Sequence, residues 1–167
     1  MRVLLLMLLL SLVASPAFAG DPEFVWEDDG TLRATVLFEA PLADVKKLLA
    51  DPIKSIGLSP DVKKVTATAK GDCHQVVVTT TGITDPFQYT ALRCPTATGI
   101  KDELVASEDY EIQNSEWVLK AVDGGTRGVL RTRTKLTAWV PERFVKSGVK
   151  KGIGKTIAAM QKVLAGG

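Results

Sequence analysis

The feature that most constrains the fold is a series of short segments in which apolar and polar residues alternate. They are separated by turn residues such as Gly71-Asp72, the segment 82–86 and Gly124-Gly125. A period of two is typical of strands that bury one face, and short strands joined by tight turns favour an antiparallel meander. The predicted strands cover residues 31–39, 62–69, 73–81, 87–94, 103–112, 115–122 and 127–138, with Asn114 as the turn between the fifth and the sixth.

Two helical regions interrupt or follow the strands. Between Pro41 and Pro52 apolar residues recur at helical spacing, and residues 53–58 could add another turn. After Pro141, apolar residues recur every three or four positions up to Leu164, which predicts one long amphipathic helix. The sequence therefore predicts a single α+β domain over residues 20–167, with about seven antiparallel strands, one or two short helices after the first strand and a long C-terminal helix.

The first 19 residues have a different character from the rest. Arg2 precedes an apolar run from Val3 that ends in Ala17-Phe18-Ala19 before Gly20. This layout is typical of a secretory signal peptide, and its apolar core is shorter than the ~20 residues that span a bilayer. We expect cleavage after Ala19 and a periplasmic or secreted protein; a retained membrane anchor is the alternative.

Charge and cysteine content limit the possible partners. Without Arg2 the chain has 20 basic and 19 acidic residues, so nucleic acid is not an expected partner. Two cysteines in an exported chain favour a disulfide between Cys73 and Cys94. A metal site is the weaker alternative because His74 is the only histidine, and we expect no metal and no cofactor.

Several local phrases in this element order resemble one superfamily. They are Ala40-Pro41 before Asp44-Val45, Ser59-Pro60-Asp61-Val62, Trp117-Val118-Leu119 before Gly124-Gly125-Thr126-Arg127, and Val140-Pro141 at the start of the last helix. Together they are similar to the START-like superfamily, which includes polyketide cyclases, coenzyme Q-binding proteins and lipid-transfer domains. The resemblance implies a helix-grip fold, in which a curved antiparallel sheet wraps the C-terminal helix and leaves a cavity for an apolar molecule.

The residues themselves favour unfilled space in such a fold. The last helix carries Gly148, Gly152 and Gly154, and the chain has few aromatic residues to fill a curved sheet. These glycines could also bring the helix close to the sheet or kink it beside a ligand. A solid core is the alternative.

A hairpin about Gly82–Pro86 gives a specific register. If opposed positions sum to 167, Cys73 faces Cys94 and His74 faces Arg93, and the more apolar face of the hairpin turns toward the ligand. Residues of the neighbouring strands and of the last helix join this face. The predicted cavity lining is His74, Val76, Val78, Phe87, Tyr89, Ala91, Arg93, Trp117, Leu119, Leu130, Thr132, Val149, Ile153 and Ile157.

The polar members of this set have two interpretations. His74 and Arg93 could hold a polar head group at one end of the cavity, or they could be solvated at the strand ends. Similarly, the basic residues of the last strand and the lysines of the last helix could make a transient contact with a membrane surface, or they could form a solvated face.

Three functions fit these observations. The first is a non-enzymatic, monomeric carrier of a hydrophobic, lipid-like small molecule. The second is a polyketide cyclase or aromatase, with Tyr89, His74 and Arg93 as its best acid-base candidates. The third is a periplasmic interaction module without a ligand. The sequence contains no catalytic motif such as Gly-x-Ser-x-Gly, His-Glu-x-x-His or a phosphate loop, and we predict no catalytic residues.

Overall fold

The computed structural model describes residues 20–166. The predicted signal peptide, residues 1–19, lies outside the described residues. Within residues 20–166, no helix has the length and apolarity that crossing a membrane requires. The elements are β1 (Glu23–Trp26), β2 (Leu32–Phe38), α1 (Leu42–Ala50), α2 (Pro52–Gly57), β3 (Val62–Lys70), β4 (Cys73–Thr80), β5 (Phe87–Pro95), β6 (Gly99–Ser107), β7 (Tyr110–Val122), β8 (Gly125–Leu136) and α3 (Glu142–Ala165).

The strands form one curved antiparallel sheet in the order β1-β2-β8-β7-β6-β5-β4-β3. Strands β3 to β8 are the predicted meander, and β2 returns to pair with β8. The short strand β1 was not expected from the sequence. It has only four residues, too few for a period of two to be recognised, and it is held by pairing with β2.

The predicted boundary between the fifth and sixth strands was wrong. The chain turns at Glu108 and Asp109, and Asn114 lies inside β7. The ladder between β6 and β7 stops at the pair Asp102 and Ser115, and beyond it the Asn114 side-chain oxygen accepts a hydrogen bond from the Leu104 amide at 2.9 Å. Asn114 therefore satisfies a backbone donor where two strands separate. The sequence predicted a turn here because asparagine is common in turns.

Helix α1 closes one end of the concave face of the sheet. Its apolar residues Val45, Leu48 and Leu49 are buried in the main core with Phe38 and Leu119. Asp51 then caps α2 by accepting a hydrogen bond from the Lys54 amide at 3.0 Å, and Pro52 occupies the first turn of α2. The α1–α2 segment thus covers the part of the sheet that α3 does not reach.

Helix α3 covers the remainder of the concave face. Ile157 and Met160 are buried in the main core, and Ile153 packs against it. A Cβ at Gly154 would lie 3.7 Å from the Phe24 ring, whereas a Cβ at Gly148 would meet no atom within 4 Å. A Cβ at Gly152 would lie 3.0 Å from the Asp61 carboxylate, so the close approach suggested by the glycines is tightest at Gly152 and absent at Gly148.

Replacing Gly148 with alanine is expected to stabilise the protein by about 1 kcal/mol. The position is exposed and helical, so alanine gains helix propensity without a clash. Chemical denaturation monitored by circular dichroism measures this gain. The matched control is Gly125→Ala, which should destabilise the fold because Gly125 has a φ of 148° and its added Cβ would lie 2.0 Å from the Phe38 carbonyl oxygen. A loss of stability in Gly148→Ala would contradict this description of α3.

Candidate functional site

The hairpin of β4 and β5 has the predicted register. Val76 pairs with Ala91, Val78 with Tyr89, and Thr80 with Phe87. At its far end Cys73 and Cys94 form the predicted disulfide, with Cα atoms 4.3 Å apart. The disulfide fixes this hairpin, whose concave face forms one wall of the space beneath α3.

A cavity of about 200 Å³, which we call the inner cavity, lies between the concave face of the sheet and α3. Many of the residues that the sequence singled out line it. They are Val76, Tyr89, Ala91, Arg93, Trp117, Leu130, Thr132, Ile153 and Ile157. Met160 and Leu49 extend its apolar wall.

Five residues of the predicted lining lie elsewhere. Leu119 belongs to the main core beside α1, and Val78 packs under Ile56 and Val62 in a smaller buried cluster. Phe87 packs edge-on against the ring of Tyr110. The positions outside the inner cavity are His74, Val78, Phe87, Leu119 and Val149. The first helices account for Leu119 and Val78, because the strand pattern shows which face is concave but not which part of that face α1 and α2 occupy.

Arg93 is neither solvated at a strand end nor free to bind a head group. It is 5% exposed, and its Nε and Nη2 atoms donate to the two carboxylate oxygens of Asp102 at 2.7 and 2.9 Å. Its Nη1 atom donates to the Ser55 hydroxyl at 2.7 Å and to the Leu49 carbonyl at 3.4 Å. The charge of Arg93 is thus neutralised inside the fold. His74 pairs with Arg93 in the predicted register but does not line the inner cavity.

Asp102 was missed by the sequence reasoning, although a signal was present. In β6 it alternates in phase with Ile100 and Leu104, so a period of two places this carboxylate on the buried side. Its Oδ2 atom also accepts a hydrogen bond from the Ser115 hydroxyl at 3.0 Å. An inward-facing acidic residue in a strand requires a buried partner, and Arg93 lies opposite it on β5.

A second set of polar side chains, Thr80, Tyr89, Tyr110 and Gln113, also lines the inner cavity. Burial is the main cause that raises the pKa of Tyr89, and the negative charge of Asp102 adds to it, whereas a hydrogen bond with Gln113 acts in the opposite direction. Burial also raises the pKa of Tyr110, whose hydroxyl lies 3.3 Å from that of Thr80. Both phenols therefore keep their protons at neutral pH and can act as hydrogen-bond donors.

These shifts predict how the protein responds to alkali. Below about pH 10, the ordinary pKa of tyrosine, the folded and unfolded chains both keep their phenolic protons and the stabilisation is complete. Above that pH the unfolded chain loses these protons first, so the free energy of unfolding falls as the pH rises. Ultraviolet titration should show no phenolate from Tyr89 or Tyr110 near pH 10 while circular dichroism shows a folded protein. A phenolate that appears near pH 10 in the folded state would contradict the burial of these hydroxyls.

A second space of about 470 Å³, which we call the outer groove, continues along the same side of α3. Val149 lines the outer groove and Ile153, one turn later, lines the inner cavity. Between the two spaces the Thr134 hydroxyl donates to the Gln113 side-chain carbonyl at 2.9 Å. This hydrogen bond joins a residue that lines the inner cavity to one that lines the outer groove.

Comparisons with known proteins identify the fold. No protein-family model matches the chain, and no curated protein sequence matches it either. Among solved structures, a START superfamily protein from Mycobacterium smegmatis superposes with a TM-score of 0.71 at 13% identity, over 81% of this chain and 97% of its own. The Zhui aromatase/cyclase from a Streptomyces species gives 0.64 at 17% identity, over 81% and 91%.

A STAR-related lipid transfer protein from Xanthomonas axonopodis gives a TM-score of 0.62 at 15% identity, over 87% of this chain and 99% of its own. All three likenesses extend over most of both chains, although no pair of sequences is more than 17% identical. The eight-stranded antiparallel sheet, the short helices after its first strands and the C-terminal helix correspond to the same architecture. The chain therefore has the START-like helix-grip fold.

Proposed function

We propose that this protein is an exported, non-enzymatic carrier of one small hydrophobic molecule, which it holds in the inner cavity. The observation on which this proposal depends is the space between α3 and the sheet, with apolar walls from Ala91, Trp117 and Ile157. Burial of apolar surface in such a space stabilises a complex by roughly 25 cal/mol per Å². The shared fold of a lipid transfer protein supports the same ligand class.

The size of the inner cavity points to a compact ligand. Its volume of about 200 Å³ lies below the ~300–1,000 Å³ that is typical of sites for drug-sized molecules. A longer molecule would have to extend into the outer groove by displacing the hydrogen bond between Gln113 and Thr134. A small ring system fits the inner cavity without that change.

The polar groups point to an uncharged ligand. Arg93 and Asp102 neutralise each other, so neither offers a net charge to an acidic or basic guest. Tyr89 lines the cavity and can donate a hydrogen bond to a ligand ether or carbonyl. The hydroxyls of Ser115 and Thr132 donate to Asp102 and to the Asn114 carbonyl, so their oxygens can accept a hydrogen bond from a ligand hydroxyl. We therefore propose a neutral molecule with one or two hydrogen-bonding groups.

Two related dyes test this proposal. N-phenyl-1-naphthylamine is neutral and compact, and 8-anilinonaphthalene-1-sulfonate carries the same ring system with an added sulfonate. Fluorescence titration of residues 20–167 should show saturable binding of the neutral dye and at least about tenfold weaker binding of the sulfonate. The reason is that the cavity offers no free cation to pair with a buried sulfonate. Equal affinity for both dyes, or tighter binding of the sulfonate, would contradict an uncharged site. No binding of either dye would favour the interaction module without a ligand.

Catalysis is the second candidate, favoured by one observation. The protonated hydroxyl of Tyr89 lies in the cavity beside the ion pair of Arg93 and Asp102, where it could polarise a bound carbonyl oxygen by donating a hydrogen bond to it. An aromatase/cyclase has the same fold. If Tyr89→Phe abolishes turnover of an aromatic polyketide analogue but leaves binding of the neutral dye intact, the protein is an enzyme. Binding without turnover in the wild type supports the carrier.

Export is a separate part of the proposal. It is based on the apolar segment before Gly20, which has the layout of a cleavable signal. Expression of the full chain in a Gram-negative host, followed by mass measurement of the periplasmic fraction, should give a protein that begins at Gly20. A cell-associated product that retains residues 1–19 would instead indicate an anchor.

A further inference from the structure

Positive charge is concentrated in α3. This helix contains six basic residues and one acidic residue, Glu142, which gives it a net charge of +5. The rest of residues 20–167 contains 14 basic and 18 acidic residues, a net charge of −4. A nearly neutral chain thus presents one strongly cationic element.

The cations of α3 fall into two groups. Lys146 and Lys150 lie over the rings of Trp26 and Phe24, at 5.2 and 5.5 Å, so they pack against β1. Lys151, Lys155 and Lys162 are exposed and, among residues 20–166, form no ion pair. By contrast, on β8 Arg131 is paired with Glu27 and Lys135 with Glu111. Lys151, Lys155 and Lys162 thus leave uncompensated positive charge on α3.

The unpaired lysines share one face of the helix with an exposed aromatic ring. Phe144, Lys151, Lys155 and Lys162 are spaced by seven, four and seven residues, which places them along one line on the side of α3 opposite Ile153 and Ile157. Phe144 is 58% exposed, and the Arg143 guanidinium lies 4.8 Å from its ring centre. We call this line of residues the outer face of α3.

Trp139 adds a second exposed aromatic ring next to the beginning of α3. It is 88% exposed in the segment between β8 and α3, and it also borders the outer groove. Trp139 is more exposed than any other large apolar side chain in residues 20–166. Tryptophan and other aromatic residues are favoured at the head-group level of a membrane, and lysines beside them are attracted to anionic lipids.

We propose that the outer face of α3, together with Trp139, docks on an anionic lipid surface. Trp139 and Phe144 enter the head-group layer while Lys151, Lys155 and Lys162 lie along it. This proposal goes beyond the proposed function, since a membrane surface can be bound whether or not the inner cavity holds a ligand.

Flotation with lipid vesicles tests the proposal. Residues 20–167 are mixed with vesicles of phosphatidylcholine alone or with added phosphatidylglycerol, at low and high salt, and the bound fraction is measured. The wild type should bind the anionic vesicles at low salt and be released at high salt. Lys151→Gln with Lys155→Gln should weaken binding by about 30-fold, and Trp139→Ala should weaken binding at every salt concentration.

The matched control removes two positive charges elsewhere. Lys120 and Arg127 are exposed neighbours on β7 and β8, so Lys120→Gln with Arg127→Gln makes the same change in net charge. It should retain at least half of the wild-type binding.

Equal losses in both double variants, or no binding by the wild type, would overturn the proposal. Binding to polyglutamate but not to anionic vesicles would assign the outer face to an acidic protein instead and would also overturn it. Dye titration of the same samples shows separately whether the inner cavity is functional.

Discussion

Asp102→Asn is expected to lower the free energy of unfolding by about 3–5 kcal/mol, because it removes the counter-charge of a buried guanidinium. Arg93 would keep its contacts with Ser55 and Leu49 but would lose the carboxylate that neutralises it. Leaving a buried charge unpaired is among the most costly single changes in a folded protein. Urea denaturation, followed by both circular dichroism and tryptophan fluorescence, measures the effect.

The next residue provides the control for this prediction. Glu103 pairs with Lys101 at 2.5 Å, but both side chains are about half exposed. Water screens such a pair, so Glu103→Gln should leave the unfolding transition nearly unchanged. If the two variants have the same stability, the pair of Arg93 and Asp102 is not buried as described here.

Ala91→Trp is expected to reduce binding of N-phenyl-1-naphthylamine by at least about 100-fold. Ala91 is 1% exposed and its methyl group lines the inner cavity, so an indole at this position would occupy the space that we assign to the ligand. Overpacking also costs about 1–3 kcal/mol of stability, so each sample must first be shown to be folded. Fluorescence titration then gives the change in affinity.

Ala106→Trp makes the same substitution on the other side of the sheet. Ala106 is exposed on β6 and lies outside the inner cavity. This control should bind the dye with wild-type affinity. Retention of tight binding in Ala91→Trp would mean that the dye, and by extension the natural ligand, occupies another site.

Local patterns were sufficient to predict much of the fold. The turn at Gly82–Pro86 allowed one register for the hairpin, and this register placed Cys73 beside Cys94 and put Val76, Tyr89, Ala91 and Arg93 on one face. Period-two alternation is reliable in such strands because a slip of one residue would turn every apolar side chain toward water. The amphipathic pattern after Pro141 likewise predicted α3.

Features that depend on contacts distant in sequence could not be predicted in this way. Asn114 is a typical turn residue, and only its hydrogen bond with the Leu104 amide explains its position inside β7. Leu119 has the pattern of a cavity residue, but α1 packs against it. Arg93 resembled an accessible cation because its partner, Asp102, lies on another strand. The pattern of a strand shows on which face of the sheet a side chain lies. Whether that side chain lines a cavity or packs in the core depends on where the helices cover that face.

The central claim is that α3 and the concave face of the sheet enclose space for a small hydrophobic molecule. A crystal structure of residues 20–167 grown with N-phenyl-1-naphthylamine tests it most directly. We predict that the ring system of the dye lies between Ala91, Trp117 and Ile157 with the pair of Arg93 and Asp102 intact. A structure in which the protein's own side chains fill that space, and the dye is absent or bound on the outside, would contradict the claim.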